Sequence, residues 1–64
     1  MVVSVLVEIK FKQKEKTFDY NVPSILEPEI QIGKRVLVPF GNQKLEGFII
    51  NVKKESNYEL KDII

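Results

Sequence analysis

The 64-residue sequence contains no cysteine and no histidine. Without cysteine there is no disulfide to staple a small fold and no Cys-based zinc site. Without histidine the commonest general base and metal ligand is missing. No Ser-His or Cys-His pair can be assembled, and the carboxylates are scattered with no two spaced to share acid and base roles. A phosphate loop of the form G-x-x-x-x-G-K-[ST] is also absent. Its nearest approach is Gly41 and Gly47, with five residues between them and Phe48 where the lysine belongs. No apolar run approaches the roughly 20 residues of a membrane span. Nor do the first ten residues have the order of a signal peptide, because the apolar run precedes the charges and no small-residue cleavage site follows. These absences point to a cytoplasmic chain without an active site, a metal site or a cofactor of its own, and with no membrane role.

The residues present describe an ordinary globular domain, 44% hydrophobic and 30% charged. The length allows one domain. Such a domain buries only about 60% of the surface its unfolded chain exposes, so its stability is small. The net charge is +1. A protein that coats a duplex neutralises many phosphates, whereas one that holds a single strand terminus needs only a few contacts. The charge therefore gives no support to broad nucleic-acid binding and does not exclude a small site.

Patterning predicts strands. Val3, Val5, Val7, Ile9 and Phe11 are apolar on one parity, against Val2, Ser4, Leu6, Glu8 and Lys10 on the other, which reads as a strand with one buried face. Residues 12–16 form a polar connection. A second strand covers residues 17–22, with Phe18, Tyr20 and Val22 on one face, and Pro23 ends it because proline cannot donate to a ladder. Residues 24–32, which include Pro28, read as a loop or as one helical turn capped by Ser24. Gly33-Lys34 reads as a turn, and residues 35–40 as a third strand with Val36 and Val38 facing in. Gly41-Asn42 fits a hairpin turn. Residues 45–52 form the returning strand, with Phe48, Ile50 and Val52 on one parity, and Gly47 within it suggests a bulge or a close backbone approach. After a polar stretch at 53–58, residues 60–64 begin another strand. Because the chain stops inside that apolar segment, it reads as a fragment from the front of a longer protein. The expected fold is all-β, a small antiparallel barrel of the OB-like kind with about five strands.

Three features are candidates for binding chemistry, and each has a plainer structural explanation. In Thr17-Phe18-Asp19-Tyr20, Phe18 and Tyr20 share a face and Asp19 points away. Both rings can be core with Asp19 in solvent. Alternatively, one ring stands at the rim of a nucleotide site, where stacking contributes about 1–3 kcal/mol per base. A carboxylate repels phosphate, so Asp19 suits a base edge or a free hydroxyl. Gly41 follows Pro39-Phe40 and either supplies positive φ or lets a ligand reach the backbone. Lys10, Lys12, Lys14 and Lys16 recur at period 2, as a charged strand edge that resists aggregation or as phosphate contacts.

Taken together, the ordered residues are familiar. Thr17-Phe18-Asp19-Tyr20, Val22-Pro23, Gly33-x-Arg35-Val36-x-Val38-Pro39-Phe40-Gly41, Gly47 in an apolar strand and Glu59-Leu60-Lys61 resemble the start of the PriA helicases, the primosomal N′ proteins. The similarity runs through nearly the whole chain. It implies that residues 1–64 are a single non-enzymatic DNA-binding domain, a β-barrel from the N-terminus of an ATP-dependent helicase. Such a domain recognises the 3′ end of a nascent strand at a stalled replication fork. The resemblance also implies the site residues: Phe18 packs on the terminal base, Asp19 hydrogen-bonds that base or its sugar, and Tyr20 completes the segment. Gly41 and Lys61 meet the terminal hydroxyl, with Lys61 adding charge; Lys12, Lys14 and Lys16 are candidate phosphate contacts from the lysine row alone, not from the resemblance. ATP and zinc are expected only in the remainder of the parent helicase, as are contacts with other primosome and single-strand-binding proteins. The chain departs from the family in having Lys16 where arginine often precedes the Thr-Phe-Asp-Tyr run, which keeps the charge and loses the planar fork. Residues 24–31 are also distinctive. The competing readings are a small β-barrel module that binds protein without touching DNA, and a barrel that only packs on a larger enzyme core.

Overall fold

The computed structural model describes residues 1–9, 14–55 and 59–64. Phe11, Lys10 and Lys12 lie outside the described residues, as does the 56–58 part of the polar stretch. Four strands form one antiparallel sheet: β1 (Val2–Ile9), β2 (Lys14–Asn21), β3 (Arg35–Phe40) and β4 (Gln43–Lys53), in the order β2-β1-β4-β3. The apolar parity of β1 behaves as its pattern requires: Val3, Val5 and Val7 are fully buried and Ile9 nearly so. Each buried aliphatic side chain contributes about 1.5–3 kcal/mol. With Tyr20, Val22, Val38, Ile49 and Ile63 these valines make the core, and Phe18, Leu26, Val36 and Leu45 pack around it.

Three expectations are corrected. First, β2 begins at Lys14 rather than Thr17, because Lys14, Glu15 and Lys16 pair with Ile9, Glu8 and Val7 of β1. Second, Phe48, Ile50 and Val52 do not share a face. Val5 lies opposite Ile49 and Ser4 opposite Asn51, so Ile50 is an extra residue in the ladder. This bulge reverses the parity: Gly47 and Ile49 are buried before it, Phe48 and Ile50 are exposed, and Val52 turns inward after it. Third, residues 60–64 make a single parallel bridge, Asp62 with Asn21, rather than a fifth strand.

Residues Ser24–Glu29 form a 3-10 helix of two turns, preceded by Pro23 with no side-chain cap from Ser24. At its two ends Leu26 N–H donates to Pro23 O and Ile30 N–H to Glu27 O. These bonds bracket Pro28, which has no amide hydrogen to offer. The Gly33 turn (φ 91°) and the two-residue Gly41-Asn42 hairpin (Gly41 φ 59°) stand where the glycines place them.

The sheet is barrel-like but open. Its two edge strands, β2 and β3, curl toward each other, and the C-terminal segment spans the gap. Asn21 N–H donates to Lys61 O (2.9 Å), Ile63 N–H to Asn21 O (3.0 Å), and Ile64 N–H to Leu37 O (2.9 Å). Ile63 is thereby buried in the core.

Candidate nucleic-acid interface

The seam between β2 and β3 brings together segments far apart in sequence. Phe18 of β2 lies against Phe40 of β3, with ring centroids 5.3 Å apart and planes tilted by 59°, a favourable aromatic geometry. One strand step further in, the Tyr20 hydroxyl donates to Pro39 O at 3.0 Å. Beyond that, Asn21 receives the C-terminal segment. Along three residues of β2, about 10 Å of strand, the seam thus passes from paired aromatics to the backbone of Lys61.

The two rings of the Thr17-Phe18-Asp19-Tyr20 segment have different surroundings. Tyr20 is a core residue whose phenol is raised above its ordinary value by burial. Phe18 is half-buried and reaches the rim. Gly41 directly follows Phe40, and nothing lies within 4 Å of where a Cβ would stand there. The rim therefore combines a half-exposed aromatic wall with a bare backbone turn.

Asp19 lies on the opposite face of β2 from Phe18 and Tyr20. It is exposed and accepts a 2.7 Å hydrogen bond from the Ser4 hydroxyl, its cross-strand neighbour on β1. It remains at the same end of the sheet as Lys61, two residues from Asn21. In an antiparallel ladder a residue's N–H and C=O point to one side and alternate at the next. Asn21 turns both toward the C-terminal segment, and Val22 N–H turns to Met1 O. The Asp19 backbone groups therefore face the open edge of β2 as those of Asn21 do. A ligand at this edge would have Phe18 on one side of the strand and the Asp19 carboxylate on the other. Phe18 and Gly41 share the inner rim, with Tyr20 buried behind them; Asp19 joins them only across the strand edge; Lys61 is exposed and reaches the seam through its backbone.

The lysine row is described in part. Lys16 is exposed on the parity of Phe18 and Tyr20, and Lys14 holds the next position of that parity, opposite Ile9. Among the described residues no group of three His, Cys, Asp or Glu side chains is placed to hold a metal ion, and no helix is long and apolar enough to cross a membrane.

Sequence reasoning missed three side-chain relations. One is Phe40 as the partner of Phe18, although its place before Gly41 was a signal. Another is Ser4, whose only sign was a polar residue inside a valine run. The third is Arg35, whose guanidinium sits 5.5 Å from the Phe48 ring centroid and 3.6 Å from a Glu46 oxygen. Phe48 and Arg35 line a broad outer cleft of about 710 Å³ together with Leu6, Glu8, Glu15 and Glu46. Lys44 lines it too, so three carboxylates face two cations; Glu8 stands directly opposite Glu15, and the acidic excess disfavours a phosphate chain. Size alone does not make it the nucleic-acid site.

An all-β sheet with an open aromatic and glycine seam defines a small binding domain. A sequence model of the 3′DNA-binding domain (3′BD) of PriA matches residues 4–64, and the chain belongs to that family. It is also similar to the replication restart protein PriA of Bacillus subtilis (strain 168), with 39% identity over 59 residues. That match covers 92% of this chain and 7% of the relative, so the chain spans a small part of the relative's length. No solved structure matches the chain.

Proposed function

We propose that this chain binds the 3′ terminus of a DNA strand and serves replication restart as a non-catalytic recognition domain of a helicase. The observation that carries the reading is the convergence of β2, the Gly41 turn and the Lys61 segment on one seam. Phe18, flanked by Phe40, offers the terminal base a stacking surface. Gly41 leaves its backbone open to the sugar. Lys61 supplies a positive charge at the terminal end, and Lys12, Lys14 and Lys16 meet the preceding phosphates. Such flexible charges position a strand without specifying its end. End selectivity falls to Asp19: a carboxylate accepts a hydrogen bond from a free 3′-hydroxyl and repels a 3′-phosphate. Unwinding, ATP and zinc would belong to the rest of the helicase, as would its other protein partners.

The test is a titration with single-stranded oligonucleotides ending in a 3′-hydroxyl or a 3′-phosphate. The parent chain should prefer the hydroxyl. Asp19→Ala should lose that preference with the fold intact, at a cost of about 1.5–3 kcal/mol toward the hydroxyl end. Equal binding of both ends by the parent would reject the 3′-end reading, and no DNA binding at all would favour a protein-interaction role.

A further inference from the structure

We propose that Ser4 is a positioning residue for the DNA terminus, acting through Asp19; the inference rests on the reading of Asp19 given above. Ser4 is the one buried polar side chain among the described residues, 9% exposed. It interrupts the apolar run of Val2, Val3, Val5, Leu6 and Val7. Its hydroxyl donates to one acceptor, Asp19 Oδ1, at 2.7 Å, a well-formed hydrogen bond. The two residues are direct cross-strand neighbours, Ser4 on the inner strand β1 and Asp19 on the edge strand β2.

This arrangement gives the carboxylate a direction. An exposed aspartate on an edge strand samples several rotamers, and its charge is then spread over the edge. A hydroxyl anchored in a packed inner strand holds one oxygen. It leaves Oδ2 without a hydrogen bond among the described residues, on a strand whose Asp19 backbone groups face the open edge. A fixed acceptor binds a ligand hydroxyl without the entropy loss of ordering it. A fixed negative charge also opposes a terminal phosphate more sharply than a mobile one. Ser4 thus sets the end selectivity of the site without touching the nucleotide. A purely structural Ser4 would affect stability and leave selectivity alone.

The experiment measures the ratio of the two dissociation constants, 3′-phosphate over 3′-hydroxyl, for the full chain and its variants. Ser4→Ala and Ser4→Val should each lower the ratio about tenfold, the size of one lost hydrogen bond. Ser4→Thr keeps the hydroxyl and should keep the ratio. Thr and Val have nearly the same shape, so this pair decides the matter even if Ser4→Ala proves poorly folded. In an Asp19→Ala background, Ser4→Ala should change the ratio no further. A parent-like ratio in Ser4→Val, alongside a lost ratio in Asp19→Ala, overturns the role of Ser4 and leaves the site standing. A parent-like ratio in Asp19→Ala overturns the assignment of Asp19 itself, and the role of Ser4 with it.

Discussion

Gly41 and Gly47 sit six residues apart on the same hairpin, and their surroundings are opposite. At Gly47 a Cβ would stand 2.5 Å from Val5 Cγ1 and 2.7 Å from the Leu6 carbonyl oxygen. At Gly41 it would meet nothing within 4 Å, and the only structural demand is a φ of 59°. The two positions mark two kinds of seam. Between β1 and β4 the ladder, broken by the Ile50 bulge, packs valine and isoleucine so tightly at Gly47 that one methyl group does not fit. Between β2 and β3 the contacts described are one aromatic pair, the Tyr20 hydroxyl bond and the C-terminal segment. The first seam holds the fold together; the second leaves backbone open at Gly41.

Substitution at Gly47 should have the largest effect. Gly47→Ala forces Val5 and the backbone of β1 to move, and overpacking of this kind costs about 1–3 kcal/mol. A core of this size supplies only about 3–5 kcal/mol in all. Urea denaturation should therefore show a much lower midpoint. An unchanged midpoint would mean that β1 and β4 are less closely packed than described.

Gly41→Asn separates the two demands at the other glycine. Asparagine tolerates the left-handed region, so the fold should hold to within about 0.5 kcal/mol. Its side chain would occupy the space a nucleotide needs, and affinity for a 3′-hydroxyl oligonucleotide should fall about tenfold, or 1.4 kcal/mol. Unaltered affinity would leave Gly41 as turn chemistry alone.

The smallest effect belongs to the hydroxyl that ties the open seam. Tyr20→Phe removes the bond to Pro39 O and should cost about 1 kcal/mol. Burial raises the Tyr20 phenol, so the folded state favours the neutral form. That stabilisation is fully present below the unfolded value near 10 and is lost as pH rises through the raised folded value. The parent should therefore lose stability above about pH 10, and Tyr20→Phe should flatten that loss. A Tyr20→Phe protein with the parent's alkaline slope would show that the phenol is not buried.

The legible parts of this molecule are those governed by local rules. The β1 valines, the Gly41-Asn42 turn and the inward Val36 and Val38 follow from period 2 and from glycine's freedom at positive φ. What was not legible depends on pairing across the sheet. The Ile50 bulge shows only when Val5 is set against Ile49 and Ser4 against Asn51. The start of β2 at Lys14 depends on β1 offering Ile9 as a partner, which overrides a polar composition. In the candidate site, Phe18, Tyr20 and Gly41 were visible as residue types, and the position of Lys61 came from resemblance. The Phe18–Phe40 contact and the Ser4 bond to Asp19 needed the curl of the sheet and the register of β1 on β2.

The open seam and the outer cleft are rival places for the DNA terminus, and the proposed function puts it in the seam. The direct measurement is an amide-resolved NMR titration with a short single strand ending in a 3′-hydroxyl. Shifts should concentrate at Phe18, Asp19, Tyr20, Phe40, Gly41 and Lys61, with Leu6, Glu46 and Phe48 unmoved. Shifts centred on Leu6, Arg35 and Phe48, with the seam unmoved, would contradict it.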